Sequence, residues 1–201
     1  MTLRHIVWRL REEFFPEKHP YDQLTGCDTS GMIHGRRLGP EAEDYQPVDP
    51  DVLRAGLDRL LEDLAAFTFV DIGCGKGRAL LLAEEYPFRK IIGVEFSRKL
   101  AKIAAANAAK IGSQRISVVH TDARAFHFPP EPLVVFLYNP FSGDTLRSVM
   151  KQLGPHPSSL YILYVNPVHS DAISALPQME VVASDDWCTI WKRCNQCGQN
   201  E

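Results

Sequence analysis

A glycine-rich turn with a carboxylate in front of it is the first feature of the chain that suggests chemistry. In FVDIGCGKG, Asp71 lies two residues before Gly73, and further glycines follow at Gly75 and Gly77. Such a turn between a strand and a helix lets a ligand approach the backbone closely, although it also fits a purely structural role in close packing. Anions usually occupy it, because backbone N–H groups and the helix dipole attract negative charge. The Asp71 carboxylate would repel a pyrophosphate and attract a cationic group.

Two more carboxylates end the next two predicted strands. Glu95 lies 22 residues after Gly73, close to the spacing of about 20 residues expected for an acid that binds ribose hydroxyls. Asp122 ends the third strand, within TDA. The three acids predict a ligand that combines positive charge with a nucleoside. S-adenosylmethionine, which carries an ammonium, a sulfonium, a ribose and an adenine, fits this description.

Seven short apolar stretches alternate with helical stretches and turns from Phe67 onward. They are FTFVDIG, KIIGVEF, RISVVHTDA, PLVVFLYNP, SLYILYVNP, MEVVASDD and CTIWKR. The early stretches are almost continuously apolar, which is typical of parallel strands buried on both faces. The last two are separated by too short a link for a parallel crossover, so we expect one of them to run antiparallel at an edge of the sheet. The pattern predicts a doubly wound, mostly parallel α/β fold with an antiparallel C-terminal hairpin.

Residues ahead of the sheet are predicted to form an N-terminal extension. The stretch PDVLRAGLDRLLEDL spaces its apolar residues as one helical face over residues 50–64. Residues 15–46 contain many glycines, prolines and aspartates and are predicted to form a long loop or flap, whose aromatic residues could close over a ligand. We therefore divide the chain into an N-terminal helix and flap (1–48), a ligand-binding domain (49–194) and a tail (195–201).

Composition excludes several classes of protein. The 201 residues carry a formal net charge of −3, which gives no general attraction to nucleic acid or to an anionic membrane. No apolar run reaches the roughly 20 residues that span a bilayer, and arginines interrupt the N-terminal stretch, so we expect no membrane partner, no signal peptide and a cytoplasmic location. The five cysteines include a lone CxxC pair, Cys194 and Cys197. A zinc site would need two more ligands, and the chain has no second pair at metal-binding spacing, so we predict no metal.

The motifs VDIGCGKG, GVEFS and TDA, at these separations, resemble those of the class I S-adenosylmethionine-dependent methyltransferases. The resemblance covers roughly residues 49–193 and implies a seven-stranded sheet whose last strand is antiparallel between its neighbours. It further implies that the first-strand acid and the glycines hold the methionine end, that the second-strand acid binds the ribose and that the third-strand acid lies beside the adenine. The implied cofactor-binding residues are Asp71, Gly73, Gly75, Gly77, Glu95, Asp122 and Ala123.

The sequence YNPF at the end of the fourth strand is the candidate catalytic segment. It resembles the [DN]-P-P-[YF] motif of amino-methyltransferases, in which Asn or Asp accepts a hydrogen bond from the target amine and the aromatic ring holds a planar group. Asn139 and Phe141 would take these roles, but the chain has one proline where the motif has two, and a structural turn is the alternative. A weaker likeness to the non-SET histone-lysine methyltransferases covers only the core.

The sequence thus predicts a methyltransferase that acts on a nitrogen atom of a small molecule or protein by direct in-line displacement and releases S-adenosylhomocysteine. Transfer to oxygen or carbon stays open, as do the identity of the acceptor and the oligomeric state. Two alternatives belong to other classes: a non-catalytic protein that retains the cofactor pocket, and a nicotinamide-dependent oxidoreductase. The position of Asp71 argues against the second.

Overall fold

The computed structural model describes residues 18–35 and 44–193, which form a seven-stranded sheet between two layers of helices. The strands are β1 (Thr68–Ile72), β2 (Lys90–Glu95), β3 (Ile116–His120), β4 (Leu133–Leu137), β5 (Leu160–Val165), β6 (Met179–Ser184) and β7 (Cys188–Arg193). Their order across the sheet is β3-β2-β1-β4-β5-β7-β6. The predicted doubly wound, mostly parallel α/β architecture is confirmed.

Successive residues of the central strands point to opposite helix layers. On β1, Phe69 belongs to one apolar cluster, and Val70 and Ile72 belong to the other. The helices are α1 (Pro20–Thr25), α2 (Pro50–Leu57), α3 (Arg78–Ala83), α4 (Arg98–Lys110), α5 (Gly143–Leu153) and α6 (Asp171–Ser174). Residues of α2, α3 and α4 pack in the first cluster, whereas residues of α5 and α6 pack in the second. Burial on both faces explains why the central strands are mostly apolar.

The antiparallel strand of the C-terminal hairpin is β7, which lies inside the sheet. It pairs antiparallel with both β5 and β6, so β6 forms the edge. The short link correctly predicted an antiparallel pair. The predicted edge position is wrong, because β7 lies in the interior between β5 and β6, as the family resemblance implied.

The helix predicted over residues 50–64 ends at Leu57. Asp49 caps its start as its side chain accepts a hydrogen bond from the N–H of Asp51. Near its predicted end, the side chain of Asp63 instead caps a separate 3₁₀ turn at Leu64–Ala66. Leu61, assigned to the apolar face of a continuous helix, is consequently 94% exposed.

The described part of the flap contains regular secondary structure. It contains the helix α1, and an isolated antiparallel bridge joins Ile33 to Tyr45 across the undescribed residues 36–43. The side chain of Asn107 on α4 accepts a hydrogen bond from the N–H of Asp28 and donates one to its carbonyl. Hydrogen bonds from the sheet domain therefore hold the flap in place.

A buried polar network centred on Asp22 fastens the flap to the start of α3. The carboxylate of Asp22 accepts hydrogen bonds from the N–H and hydroxyl groups of Thr29 and Ser30. Arg78, the first residue of α3, is 2% exposed and donates to the hydroxyls of Thr29 and Ser30, and its guanidinium lies 4.0 Å from the Asp22 carboxylate. A buried arginine at a helix N-terminus is unfavourable without such a partner.

Three parts of the sequence interpretation fall outside the described residues: the predicted N-terminal helix, the tail (195–201), and Cys194 and Cys197. The division at residues 48 and 49 stays a prediction. Among the helices in the described ranges, none is long and apolar enough to cross a membrane.

We predict that Asp22→Ala lowers the free energy of unfolding by about 3 kcal/mol or more, because it removes the charge partner of the buried Arg78 and leaves the N–H groups of Thr29 and Ser30 without their acceptor. Burial acts to raise the pKa of Asp22, but the hydrogen bonds from Thr29 and Ser30 outweigh it and lower that pKa. Its stabilising contribution is therefore present at neutral pH and should be lost as the pH falls below about 4.

Asp28→Ala is the matched control, measured in the same urea titrations. Its carboxylate is paired with Lys76 but is 64% exposed, so the loss should stay below about 1 kcal/mol. Equal losses in the two variants would show that the Asp22 network does not fasten the flap.

Candidate functional site

A pocket of about 350 Å³ opens at the carboxyl ends of the parallel strands. Its floor is formed by the ends of β1, β2 and β4, and the flap segment of residues 44–48 forms one wall. Since β1 pairs with β2 on one side and β4 on the other, the chain reverses its direction of winding at this point. Ligands of doubly wound proteins bind at such a switch point.

The glycine turn after β1 is held in a backbone conformation that favours glycine. Gly73, Gly75 and Gly77 have φ angles of +82°, +56° and +87°. A Cβ atom on Gly73 would lie 2.5 Å from the Cβ of Pro140, and one on Gly75 would collide with the ring of Tyr45. Because these glycines have no side chain, the fourth-strand loop and the flap can pack against the turn, and a ligand can also approach its backbone.

Asp71 lies at the carboxyl end of β1 and is 3% exposed, facing the pocket. Among residues 18–35 and 44–193, none donates a hydrogen bond to its carboxylate or forms an ion pair with it. Burial and, secondarily, the nearby charge of Glu95 raise the pKa of Asp71 well above its usual range. The pocket therefore contains a carboxyl group whose charged form lacks a counterion.

Glu95, at the end of β2, connects three parts of the site. One carboxylate oxygen accepts a hydrogen bond from the N–H of Gly75 at 2.9 Å, and the other accepts from the N–H of Ser97 at 2.7 Å. Burial raises the pKa of Glu95, and these hydrogen bonds partly oppose the shift. Each oxygen retains a lone pair with which to accept a further hydrogen bond from a ligand.

Asp122 lies apart from this buried pair. Its carboxylate accepts hydrogen bonds from the backbone N–H and the guanidinium of Arg124, which lower the pKa of Asp122. The side chain is 30% exposed and borders the pocket, whereas the adjacent Ala123 is buried in the pocket wall. Only two of the three predicted carboxylates are thus brought together in the interior.

Asn139 is held in a strained conformation after β4. Its φ of +41° is unusual for a residue other than glycine and is disfavoured before a proline. The hydroxyl of Tyr164 donates a hydrogen bond to Asn139 Oδ1 at 2.8 Å. Both Asn139 and the half-buried Phe141 line the pocket. Strain of this kind is concentrated at functional sites.

The pocket residues without a role predicted from the sequence include Gln46, Arg78 and Phe96. Gln46 belongs to the flap, and Arg78 carries no signal beyond its place after the glycine turn. The sequence indicates Tyr45 only as one of the aromatic residues of the flap. Their positions depend on contacts between segments distant along the chain. Within the described part of the chain, no three His, Cys, Asp or Glu residues cluster closely enough to hold a metal ion.

The family model described as a methyltransferase domain matches residues 69–153. No curated protein matches the chain. An RNA methyltransferase from Salinibacter ruber, solved in complex with S-adenosyl-L-homocysteine, is similar in structure with a TM-score of 0.57 at 16% identity, covering 77% of this chain and 98% of that one. A ribosomal protein L11 methylase from Lactobacillus delbrueckii subsp. bulgaricus has a TM-score of 0.53 at 19% identity, covering 75% and 90%. At these identities the likeness concerns the fold.

We predict that Asp71→Asn stabilises the ligand-free protein at neutral pH. Because the pKa of Asp71 is raised, the folded state keeps a proton that the unfolded state releases above about pH 4. The free energy of unfolding should therefore decline as the pH rises between the unfolded and folded pKa values, and the asparagine variant should remove up to about 1.4 kcal/mol per pH unit of that decline.

Urea titrations of both proteins from pH 4 to pH 8 measure the difference. Because Asp71 and Glu95 interact, the difference between the two profiles includes the coupling between these carboxyl groups. Parallel profiles for the two proteins would mean that Asp71 is not a buried, uncompensated carboxyl group.

Proposed function

We propose that this chain, whose residues 69–153 match the methyltransferase domain model, binds S-adenosylmethionine in the pocket and transfers its methyl group to an acceptor. The observation that carries the proposal is the buried carboxyl group of Asp71, which faces the pocket without a cationic partner in the described part of the chain. A cationic ligand would neutralise it, whereas a pyrophosphate would add a second negative charge.

The remaining groups of the cofactor have matching partners in the pocket. The ribose hydroxyls can donate to the Glu95 carboxylate, which already holds the glycine turn in position. Ala123 offers an apolar surface for the adenine, and the carboxylate of Asp122 at the rim can accept from its amino group. Binding of the ammonium group should lower the pKa of Asp71 and release its proton.

Bound S-adenosylmethionine would supply an activated methyl group on a sulfonium, which accepts the bonding electron pair as the carbon–sulfur bond breaks. The residues of this chain would orient the acceptor in line with that bond and exclude water. Orientation of this kind provides several kcal/mol of the rate enhancement. No obligatory general base is required where the acceptor approaches with a free lone pair.

A nitrogen acceptor is the finer part of the proposal and rests on Asn139. Its Oδ1 is oriented by the hydroxyl of Tyr164 and keeps a second lone pair, which can accept a hydrogen bond from an amine. Phe141 in the same loop offers an aromatic surface to a planar group. The two solved relatives named above act on RNA and on a ribosomal protein according to their names, so the fold is compatible with more than one acceptor.

We further propose that the protein acts in the cytoplasm, because Cys27, Cys74 and Cys188 are free thiols.

We predict that S-adenosylhomocysteine raises the melting temperature and that NAD does not. A ligand at 100 times its dissociation constant should add about 2.7 kcal/mol of apparent stability. Differential scanning fluorimetry measures both ligands side by side. A larger shift with NAD would contradict the cofactor assignment and favour the oxidoreductase. Binding without methyl transfer in extracts supplied with radiolabelled donor would favour a non-catalytic protein.

We predict that Asn139→Ala lowers turnover about 100-fold and leaves the affinity for S-adenosylhomocysteine nearly unchanged, because a misoriented nucleophile costs about that factor. The measurement uses the acceptor that the radiolabelled extract identifies. Asn166→Ala is the matched control, since Asn166 also has a positive φ and precedes a proline at the end of a strand, but does not line the pocket. Equal turnover in the two variants would remove Asn139 from the catalytic residues.

A further inference from the structure

A fully buried tyrosine on β5 lies beside the loop that carries the candidate acceptor-binding residue. The side chain of Tyr164 packs in the second apolar cluster, on the same side of the sheet as Leu137. The register of β4 and β5 places these two residues side by side, and the chain reaches Asn139 two residues after Leu137. Apolar packing thus fixes the ring of Tyr164 and leaves its hydroxyl group at the base of the loop.

The hydroxyl group of Tyr164 gives its one hydrogen to Asn139. Its oxygen lies 2.8 Å from Asn139 Oδ1, the usual length of such a hydrogen bond. Burial raises the pKa of Tyr164 to about 12, so the group stays protonated and remains a donor at physiological pH. Within residues 18–35 and 44–193, no other side chain forms a hydrogen bond with the side chain of Asn139.

This hydrogen bond selects one of two orientations of the Asn139 amide. The oxygen and the NH2 group of an asparagine have similar sizes, so a half-turn of the amide exchanges an acceptor for two donors. In the exchanged orientation the hydroxyl hydrogen of Tyr164 would lose its acceptor in a buried position, which is costly. The backbone of Asn139 is restricted as well, by its strained φ of +41°.

Resting on the proposed function, we propose that Tyr164 is a positioning residue for methyl transfer, whose hydroxyl holds the Asn139 amide in the orientation that presents Oδ1 to the acceptor amine. Tyr164 does not line the pocket, so it acts through Asn139 and not by contact with either substrate. An amide that is already oriented before the acceptor binds does not have to be ordered during the reaction, which favours turnover.

Tyr164→Phe tests this role because it removes the hydroxyl and keeps the buried ring. We expect turnover to fall roughly 3- to 10-fold, the value of one hydrogen bond between neutral groups, and the affinity for S-adenosylhomocysteine in calorimetry to change by less than about two-fold. Turnover is measured with the acceptor that the radiolabelled extract identifies.

Tyr161→Phe is the matched control. Tyr161 is a buried tyrosine of the same strand, but it packs in the first apolar cluster, and its hydroxyl donates to Glu62 at 3.2 Å. Its removal should leave turnover unchanged. A loss of turnover in Tyr161→Phe equal to that in Tyr164→Phe would mean that β5 tyrosines affect the reaction only through stability, and would overturn the inference.

A double-mutant cycle with Asn139→Ala separates positioning from a structural role. If Tyr164 acts through the Asn139 amide, Tyr164→Phe should lower turnover by less than about two-fold in the Asn139→Ala background. A tyrosine that only supports the loop would cost the same factor in both backgrounds, and that result would contradict the proposal.

A second measurement needs no acceptor. In protein prepared with isotope-labelled asparagine, nuclear magnetic resonance detects the side-chain amide of Asn139, identified by its absence from the spectrum of Asn139→Ala. Tyr164→Phe should shift this signal and increase its mobility, whereas Tyr161→Phe should not. An unchanged Asn139 signal in Tyr164→Phe would show that the hydroxyl does not hold the amide.

The outcomes also separate this inference from the proposed function. If Asn139→Ala loses turnover and Tyr164→Phe does not, Tyr164 is not a positioning residue, while the role of Asn139 stands. If the unmodified protein transfers no methyl group, or if Asn139→Ala keeps full turnover, the proposed function fails at that point, and the inference fails with it.

Discussion

The structure depends on the burial of two carboxyl groups, Asp71 and Glu95, at the ends of adjacent central strands. Like charges at close range in a poorly solvated site cannot both ionise without a large cost. The chain meets this constraint in two ways: backbone N–H groups solvate Glu95, and the pKa of Asp71 is raised so that its charge is suppressed. The ligand-free protein is thus less stable because of Asp71, and a cationic ligand bound there can restore that stability.

The flap contributes to the site because the glycine turn is open on its outer side. Without side chains at Gly73 and Gly75, the turn accepts Pro140 from the fourth-strand loop and Tyr45 from the flap. Arg78 then ties this turn to the flap through Thr29 and Ser30. The turn is therefore both the proposed cofactor site and the point where the flap, the sheet and the fourth-strand loop meet.

The same contacts relate cofactor binding to acceptor binding. Pro140 packs on Gly73, and the adjacent Asn139 is oriented by Tyr164 on the next strand. A group held by Asn139 consequently lies beside the turn that holds the methionine end in our proposal. In our proposal, the backbone of the strand ends therefore holds donor and acceptor in alignment.

The sequence by itself determined the strands, the glycine turn and the strand-end positions of Asp71, Glu95 and Asn139, because apolar runs and glycine spacing are local signals. The sequence pattern predicted a helix over residues 50–64, but the helix ends at Leu57 and Asp63 caps a separate 3₁₀ turn. Only the tertiary structure decided that Asp71 and Glu95 share an interior site, while Asp122 pairs with Arg124. It also decided that Gln46 of the flap lines the pocket. Those outcomes depend on burial and on contacts between segments far apart along the chain, which carry no local pattern.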